Sequence, residues 1–473
     1  MSNVLEPSPA RKSQYAIDPA KLGMRASELP GIVGVRMKEL FPEMPDAVYP
    51  GCDIKDIRQM ALNAIKNIDL SRVKPGDSVN ICASHHGFTL LGGAPYAEVL
   101  KAVRDMVIER TGTTDVRLRT GNGLRFRECE EYIARFGLDE YFQHKCKNVA
   151  PIDRAVPIET EIGTLYGIAE IYDADWIIHV HNSDIREVHY HRLIDRIMKP
   201  FGMSYARIET RSAYHLSLGP RGANFVARAI YQSPFVQKKF LGAVILEVCP
   251  VGLTNIDADN DLVALNERIT ANALMQFGKL LRLLNRVEDC VVIVDCPGPV
   301  VYTFAAGLVL GNFLQANVDL FDLRMPSAPY SYEGEMAYNS KGKMIYPGFD
   351  GVNRNIKAII INYSFKGYPA GFVAQQYPTI LVGDAITELF TYDELSVELN
   401  ANVVTARDLK TALTFAGKIA NTDNLIIFDG AIGGINMSEP VRDSMFAHAA
   451  EVRDEVENKL MPMWLEQRGI TAK

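Results

Sequence analysis

No two cysteines in this 473-residue chain form a CxxC pair, and the seven present (Cys52, Cys82, Cys129, Cys146, Cys249, Cys290 and Cys296) are scattered and odd in number. That spacing argues against a cysteine-rich zinc site or a disulfide framework and suits reduced thiols, so the cytoplasm is the expected location. Positive charge is not in excess either: Lys and Arg total 50 against 57 Asp and Glu, for a net charge of −7. Nucleic acids and anionic membrane surfaces call for a basic face, so a small molecule is the expected partner. No uninterrupted apolar run reaches the length of a membrane span, and the opening "MSNVLEPSPARKSQYAIDPAK" lacks the apolar core of a secretory signal. The first twenty or so residues read as a loosely held arm. Internal repeats and low-complexity tracts are also missing.

Short β-branched runs do alternate with longer amphipathic segments, the pattern of an α/β protein with mainly parallel sheets flanked by helices. Expected strands are 78–84, 115–121, 174–180, 241–249, 289–296, 356–364, 379–384 and 424–430, most of them apolar throughout, as strands covered on both faces are. Helices are expected in "DIKDIRQMALNAIKNI", "APYAEVLKAVRDMVIERTG", "RECEEYIARFG" and "NDLVALNERITANALMQFGKLLRLLNRVED". In the second of these, Val99, Leu100, Val103, Met106 and Val107 give one apolar stripe. The length calls for two domains, 1–245 and 246–473, with the active site in the cleft between them and a long tyrosine-rich loop at 324–355 in the second.

Chemistry concentrates in "HVHNSDIREVHYHRLIDRIMKPFG", which holds His179, His181, His189 and His191, four of the chain's nine histidines. His179 and His181, two apart near a strand's carboxyl end, share a face and are candidates to chelate a metal; a hydrogen-bonded, half-buried role is the plainer alternative. His189 and His191 open a helix and point about 200° apart around it, so they cannot share one ligand. "DGAIGGIN" (429–436) is either a turn or a phosphate seat at a helix start, and Cys296 is either buried or a nucleophile.

His189, Lys199 and His215 lie ten and then sixteen residues apart after the strand that begins "ADWII". Those intervals resemble the nickel-pincer lactate racemase family. "SVNICASHHGFTLLGGAPYAEVLKAV", "VRLRTGNGLRFRECEEYIARFG" and "HKCKNVAPIDRA" are similar to that family's first strand and turn, second strand with glycine turn, and following His-containing segment, over about residues 75–245. The resemblance implies a nickel-pincer nucleotide joined to Lys199 as a thioamide, with nickel held by His215. It also implies that His189 is the base on a substrate hydroxyl and that the α-hydrogen passes to the cofactor as hydride and returns. Further on, "KGYPAGFVAQQY" resembles a family motif through Gly367, Tyr368, Pro369 and Gln376, with Thr379 in place of its lysine.

The chain departs from the family at specific positions. "SHHGF" has Phe88 where an arginine grips the substrate carboxylate, and "GNGLR" lacks the family's second histidine. "DRIMK" stands where glycines lead to the lysine. His85 and His86 are candidate replacement acid/base residues, while Arg119, Arg125 and Arg127 are candidates for the substrate's acid group or a nucleotide phosphate. The expected function is therefore racemisation or epimerisation of a 2-hydroxy acid other than lactate, with catalytic His189, His85 and His86, cofactor-binding Lys199, Arg125 and Gln376, and nickel on His215. The alternative is a cofactor-free small-acid-binding protein, or an ordinary divalent-metal enzyme, on the same fold. A homo-oligomer stays open, and His179, His181 and His191 are left without a role.

Overall fold

A computed structural model describes residues 4–6, 19–49, 53–89, 91–122, 129–183, 194–212, 219–296, 313–314, 319, 321–324, 337–338, 344–345, 353–363, 377–391 and 403–471. Regular pairing begins with β1 (Ile32–Arg36), which joins a sheet otherwise built from the far end of the chain. The first sheet contains β2 (Ser78–Ser84), β3 (Asp115–Gly121), β4 (Cys146–Val149), β7 (Trp176–Asn182), β8 (Phe240–Cys249) and β9 (Gly252–Asp259), in the order β4-β3-β2-β7-β8-β9. All its neighbours are parallel except β8 and β9. A hairpin of β5 (Ala155–Thr160) and β6 (Gly163–Ile168) stands apart from it.

After β10 (Cys290–Asp295) and a short pair, β11 (Ala337–Tyr338) with β12 (Met344–Ile345), come β13 (Ile356–Tyr363), β14 (Thr379–Val382), β15 (Val403–Ala406), β16 (Leu425–Phe428) and β17 (Gly434–Ser438). The second sheet runs β1-β17-β16-β10-β13-β14-β15, parallel from β16 to β15 and antiparallel at β17 and β1. The chain is thus an α/β protein with two mainly parallel sheets flanked by helices. The sheets do not follow a division at 245/246, which falls inside β8, and β1 crosses into the second sheet because its edge meets β17.

Strand alternation gives each sheet two apolar faces. In the first, Ile81, Ala83, Ile178 and Val180 pack with Val99, Leu100, Val103 and Val107 of the Ala94–Thr111 helix. Cys82 and Ile177, on the opposite face, pack with Ile197, Phe201, Tyr205, Val226 and Ile230. The Leu262–Leu284 helix starts from Asp261, whose carboxylate accepts from Val263 N and Ala264 N. Its first turns (Leu262, Leu265, Ile269) serve the second of these cores, and its later turns (Leu274, Phe277, Leu284) serve the first. Burying each such side chain contributes about 1.5–3 kcal/mol.

Within the N-terminal arm, the described residues include a fixed point. Leu5 is buried, and its backbone makes paired bonds to the Asn436 side chain, N to Oδ1 and O from Nδ2, both 2.9 Å.

Candidate active site

In the first sheet the chain steps from β2 outward to β3 and β4 on one side, and from β7 outward to β8 and β9 on the other. The carboxyl ends of β2 and β7 therefore flank a switch point, where open α/β sheets form their ligand crevice. Ser84, His85 and His86 come from β2 and the short His85–Thr89 helix after it, while His181, Asn182 and Ser183 come from the end of β7. All six are buried. Ser84 Oγ lies 3.3 Å from His181 Nδ1, Asn182 Nδ2 donates to His86 O at 3.3 Å, and the His85 and His86 ring centroids are 3.7 Å apart. Tyr96 reaches across from the helix beneath, donating its hydroxyl to Val180 O at 2.5 Å. That contact explains the glycine in "SHHGF": a Cβ on Gly87 would stand 2.1 Å from the Tyr96 ring.

His179 has a different fate from His181. Its Nε2 is 2.9 Å from Ile197 O, a pure acceptor, so that nitrogen carries the hydrogen and donates. Nδ1 is then left to accept from the Tyr205 hydroxyl at 3.0 Å. Burial pushes its pKa down to about 4, against the upward pull of the Ile197 carbonyl, so the ring is neutral at pH 7. With both nitrogens spent, His179 cannot chelate alongside His181, although the two share a face as expected.

His179 thereby ties β7 to the segment carrying Lys199. This segment runs through a 3-10 turn, Arg196–Met198, into the short Lys199–Gly202 helix, and Lys199 itself is only 2% exposed. Lys199 lies between Ile197 and Phe201, and both of those touch the His179 ring. Two more contacts close the segment on β3: a Cβ on Gly121 would meet Ser204 O at 2.1 Å, and Arg211 donates to the Asn122 carbonyl at 2.8 Å. Asp195, the residue before the turn, has φ 49° and ψ 33°. Aspartate is among the few residues other than glycine that tolerate this left-handed conformation.

Of the residues expected to act, His85, His86 and Lys199 are described and buried near this crevice. His189, His215, Arg125 and Gln376 lie outside the described residues, as do His191 and Arg127. Phe88, where the resemblance calls for an arginine, is a core residue: it stacks on Tyr132 at 5.0 Å and meets Tyr96 edge-on at 4.9 Å. Arg119 is committed elsewhere, donating to Glu170 O and Lys145 O at 3.1 Å, so it is not an anion receptor. Thr379 bonds to Tyr377 O at 2.9 Å within the second sheet's core. Cys296 is buried, as expected, and burial pushes the Cys146, Cys249 and Cys290 thiols up to about 12, which makes them inert. "DGAIGGIN" is a turn between antiparallel strands β16 and β17 and starts no helix, so it is not a phosphate seat. No group of three His, Cys, Asp or Glu suited to a metal occurs among the described residues, and no described helix is long and apolar enough to cross a membrane.

A second switch point went unread in the sequence. β10 and β16 are neighbours whose chain connections diverge, and their ends carry Asp295 and Asp429, both buried. Asp295 accepts from Ala26 N at 2.8 Å, Arg25 Nε at 3.0 Å and Asn362 Nδ2 at 2.9 Å. Asp429 accepts from Ala431 N at 2.9 Å and Asn436 Nδ2 at 2.7 Å. Burial pushes both carboxyls up despite these bonds. The signal was an acid directly after an apolar strand in "VIVD" and "IIFD", but only the fold brings the two together. These carboxylates hold the N-terminal segment in place, and beside them a cavity of about 610 Å³ opens at the ends of β13, β14 and β15. Neither His85, His86, His181 nor Lys199 lines it. No family model and no curated protein matches the chain.

Proposed function

We propose that the protein is a racemase or epimerase of a 2-hydroxy acid other than lactate, using a nickel-pincer nucleotide attached to Lys199. The observation that carries this reading is Lys199 itself: a lysine sealed from water, at the end of a 3-10 turn that starts from a left-handed Asp195, on the segment that packs against His179 of β7. A lysine amine held in a fixed, water-excluded position suits the covalent attachment that the cofactor needs. The described residues therefore fit the covalent end of the cofactor, whereas its nickel end rests on His215, outside them. When bound, the cofactor supplies a hydride acceptor for the substrate's α-hydrogen.

The chain's own part is proton handling and orientation. A histidine must take the hydroxyl proton as the carbon is oxidised and return it afterwards, and His189 is the candidate base. His85 and His86, at the first residues past β2, are the candidates for protonation from the other face. With Phe88 locked in an aromatic core, the carboxylate must find another cation, for which Arg125 is the candidate.

A panel of enantiopure 2-hydroxy acids tests the reading, with protein produced together with nickel and the cofactor's maturation enzymes. At least one acid is expected to lose optical purity, and Lys199→Ala is expected to stop that loss. Optical purity retained throughout, with an acid nevertheless bound, would favour the cofactor-free binding protein instead.

A further inference from the structure

Asp195 does more than adopt an unusual backbone. Its carboxylate is 4% exposed by residue and accepts three bonds: Arg228 Nε at 2.7 Å, a second Arg228 nitrogen at 2.5 Å, and Asn266 Nδ2 at 3.0 Å. The two arginine bonds form a fork on both carboxylate oxygens, the geometry in which a guanidinium is hardest to replace. Asn266 presents its amide nitrogen there, as the donor to Asp195 Oδ1. The same bonds hold the Arg228 pKa up. Asp195's carbonyl accepts from Met198 N at 3.0 Å, which closes the 3-10 turn that ends at Lys199.

The three partners come from three places. Asp195 starts the lysine turn, Arg228 lies on the Gly219–Gln232 helix and Asn266 on the Leu262–Leu284 helix. The first of those helices begins four residues after His215. The outer side of the clamp faces a cavity of about 290 Å³ that Glu267, Thr270 and Arg468 also line, so the ion pair is not surrounded by close-packed apolar groups. Its removal leaves the hydrophobic core intact, and the loss falls on the position of the turn.

We infer that Asp195 is the positioning residue of the reactive lysine: pinned by Arg228 and Asn266, it fixes the turn that leads into Lys199 and registers it against the helix following His215. The inference rests on the reading of Lys199 as the cofactor's anchor. A buried carboxylate held by a part-buried arginine fork and an amide, on a residue with a left-handed backbone, over-determines one backbone geometry, which an active-site turn needs and ordinary packing does not.

The test uses the full chain without cofactor and an amine-acylating reagent, with the Lys199 peptide quantified by mass spectrometry against the exposed Lys147. Asp195→Gly keeps the backbone freedom and removes the carboxylate, and Arg228→Leu removes the fork. In each, Lys199 acylation is expected to rise about tenfold or more, as the turn opens locally. Arg228→Lys should restore part of the protection. Arg268→Leu is the control, since it breaks another arginine–carboxylate cluster on the Leu262–Leu284 helix, with Asp257 at 3.0 Å and Asp259 at 2.9 Å, away from the turn. Equal acylation in the control and the clamp variants, or none in either clamp variant, would overturn the inference. Should Asp195→Gly fail to fold, Arg228→Leu and Arg228→Lys decide alone. Because no cofactor is needed, these outcomes stand apart from the racemase reading, which fails separately if Lys199 carries no adduct in matured protein. In matured enzyme, Arg228→Leu should lower kcat with KM little changed.

Discussion

Changing His179 to Gln tests whether its ring is sealed as the geometry requires. Glutamine retains one donor and one acceptor for Ile197 O and the Tyr205 hydroxyl but cannot take up a proton in the relevant range. In the folded protein burial holds the His179 pKa near 4, against an ordinary value of 6.5. Between those values the unfolded chain binds the proton and the folded one does not, so stability falls as pH falls through the window. From the two pKa values, the wild type should lose about 2 kcal/mol between pH 7.5 and pH 5, and about 3 kcal/mol by pH 4, from this one residue. The variant should pay a fixed cost of about 1–2 kcal/mol for imperfect bonds at pH 7.5 and lack that portion of the slope. At pH 5 the two proteins should therefore be nearly equal. Denaturant unfolding followed by tryptophan fluorescence suits the measurement, because Trp176 begins β7, the strand that carries His179. Raised Asp295 and Asp429 pKa values act in the opposite direction, as their proton uptake on folding favours the fold at lower pH, but they are common to both proteins and cancel in the difference. Parallel pH slopes for the two proteins would refute the assignment and return His179 to the list of candidate ligands.

Phe88→Arg, which restores the residue type that the resemblance calls for, should destabilise by about 4 kcal/mol or more without improving turnover of a carboxylate, because it drives a charge between Tyr96 and Tyr132; thermal unfolding and a substrate titration check both halves. Gly121→Ala should cost about 1–3 kcal/mol by pushing its new methyl onto Ser204 O, and hydrogen exchange should show the loosening first at Met203–Ala206.

The central parallel strands were legible because each carries a short run of buried apolar residues and ends at turn residues. β2 and β3 coincide with the expected 78–84 and 115–121. β9, "GLTNIDAD", and β17, "GINMS", were not legible: one alternates with polar residues and the other is short, and their place as antiparallel neighbours depends on which edge is open. At the site, "SHHGF" shows Phe88 where the resemblance calls for an arginine, but it does not show what Phe88 packs against. Its ring stacks on Tyr132, a residue from a different helix. Asp195 shows the same limit, since "DRIMK" displays missing glycines and hides that the aspartate adopts a glycine-like backbone and is secured by Arg228. Local pattern reports what a segment prefers, and partners distant in sequence decide how that preference is used.

The mass of the Lys199 peptide, from protein matured with nickel and the cofactor-forming enzymes, tests the central proposal most directly. The expected result is a stable adduct of nucleotide size on Lys199, absent from every other lysine and accompanied by one nickel per chain. An unmodified Lys199 in nickel-free protein under the same conditions would contradict it.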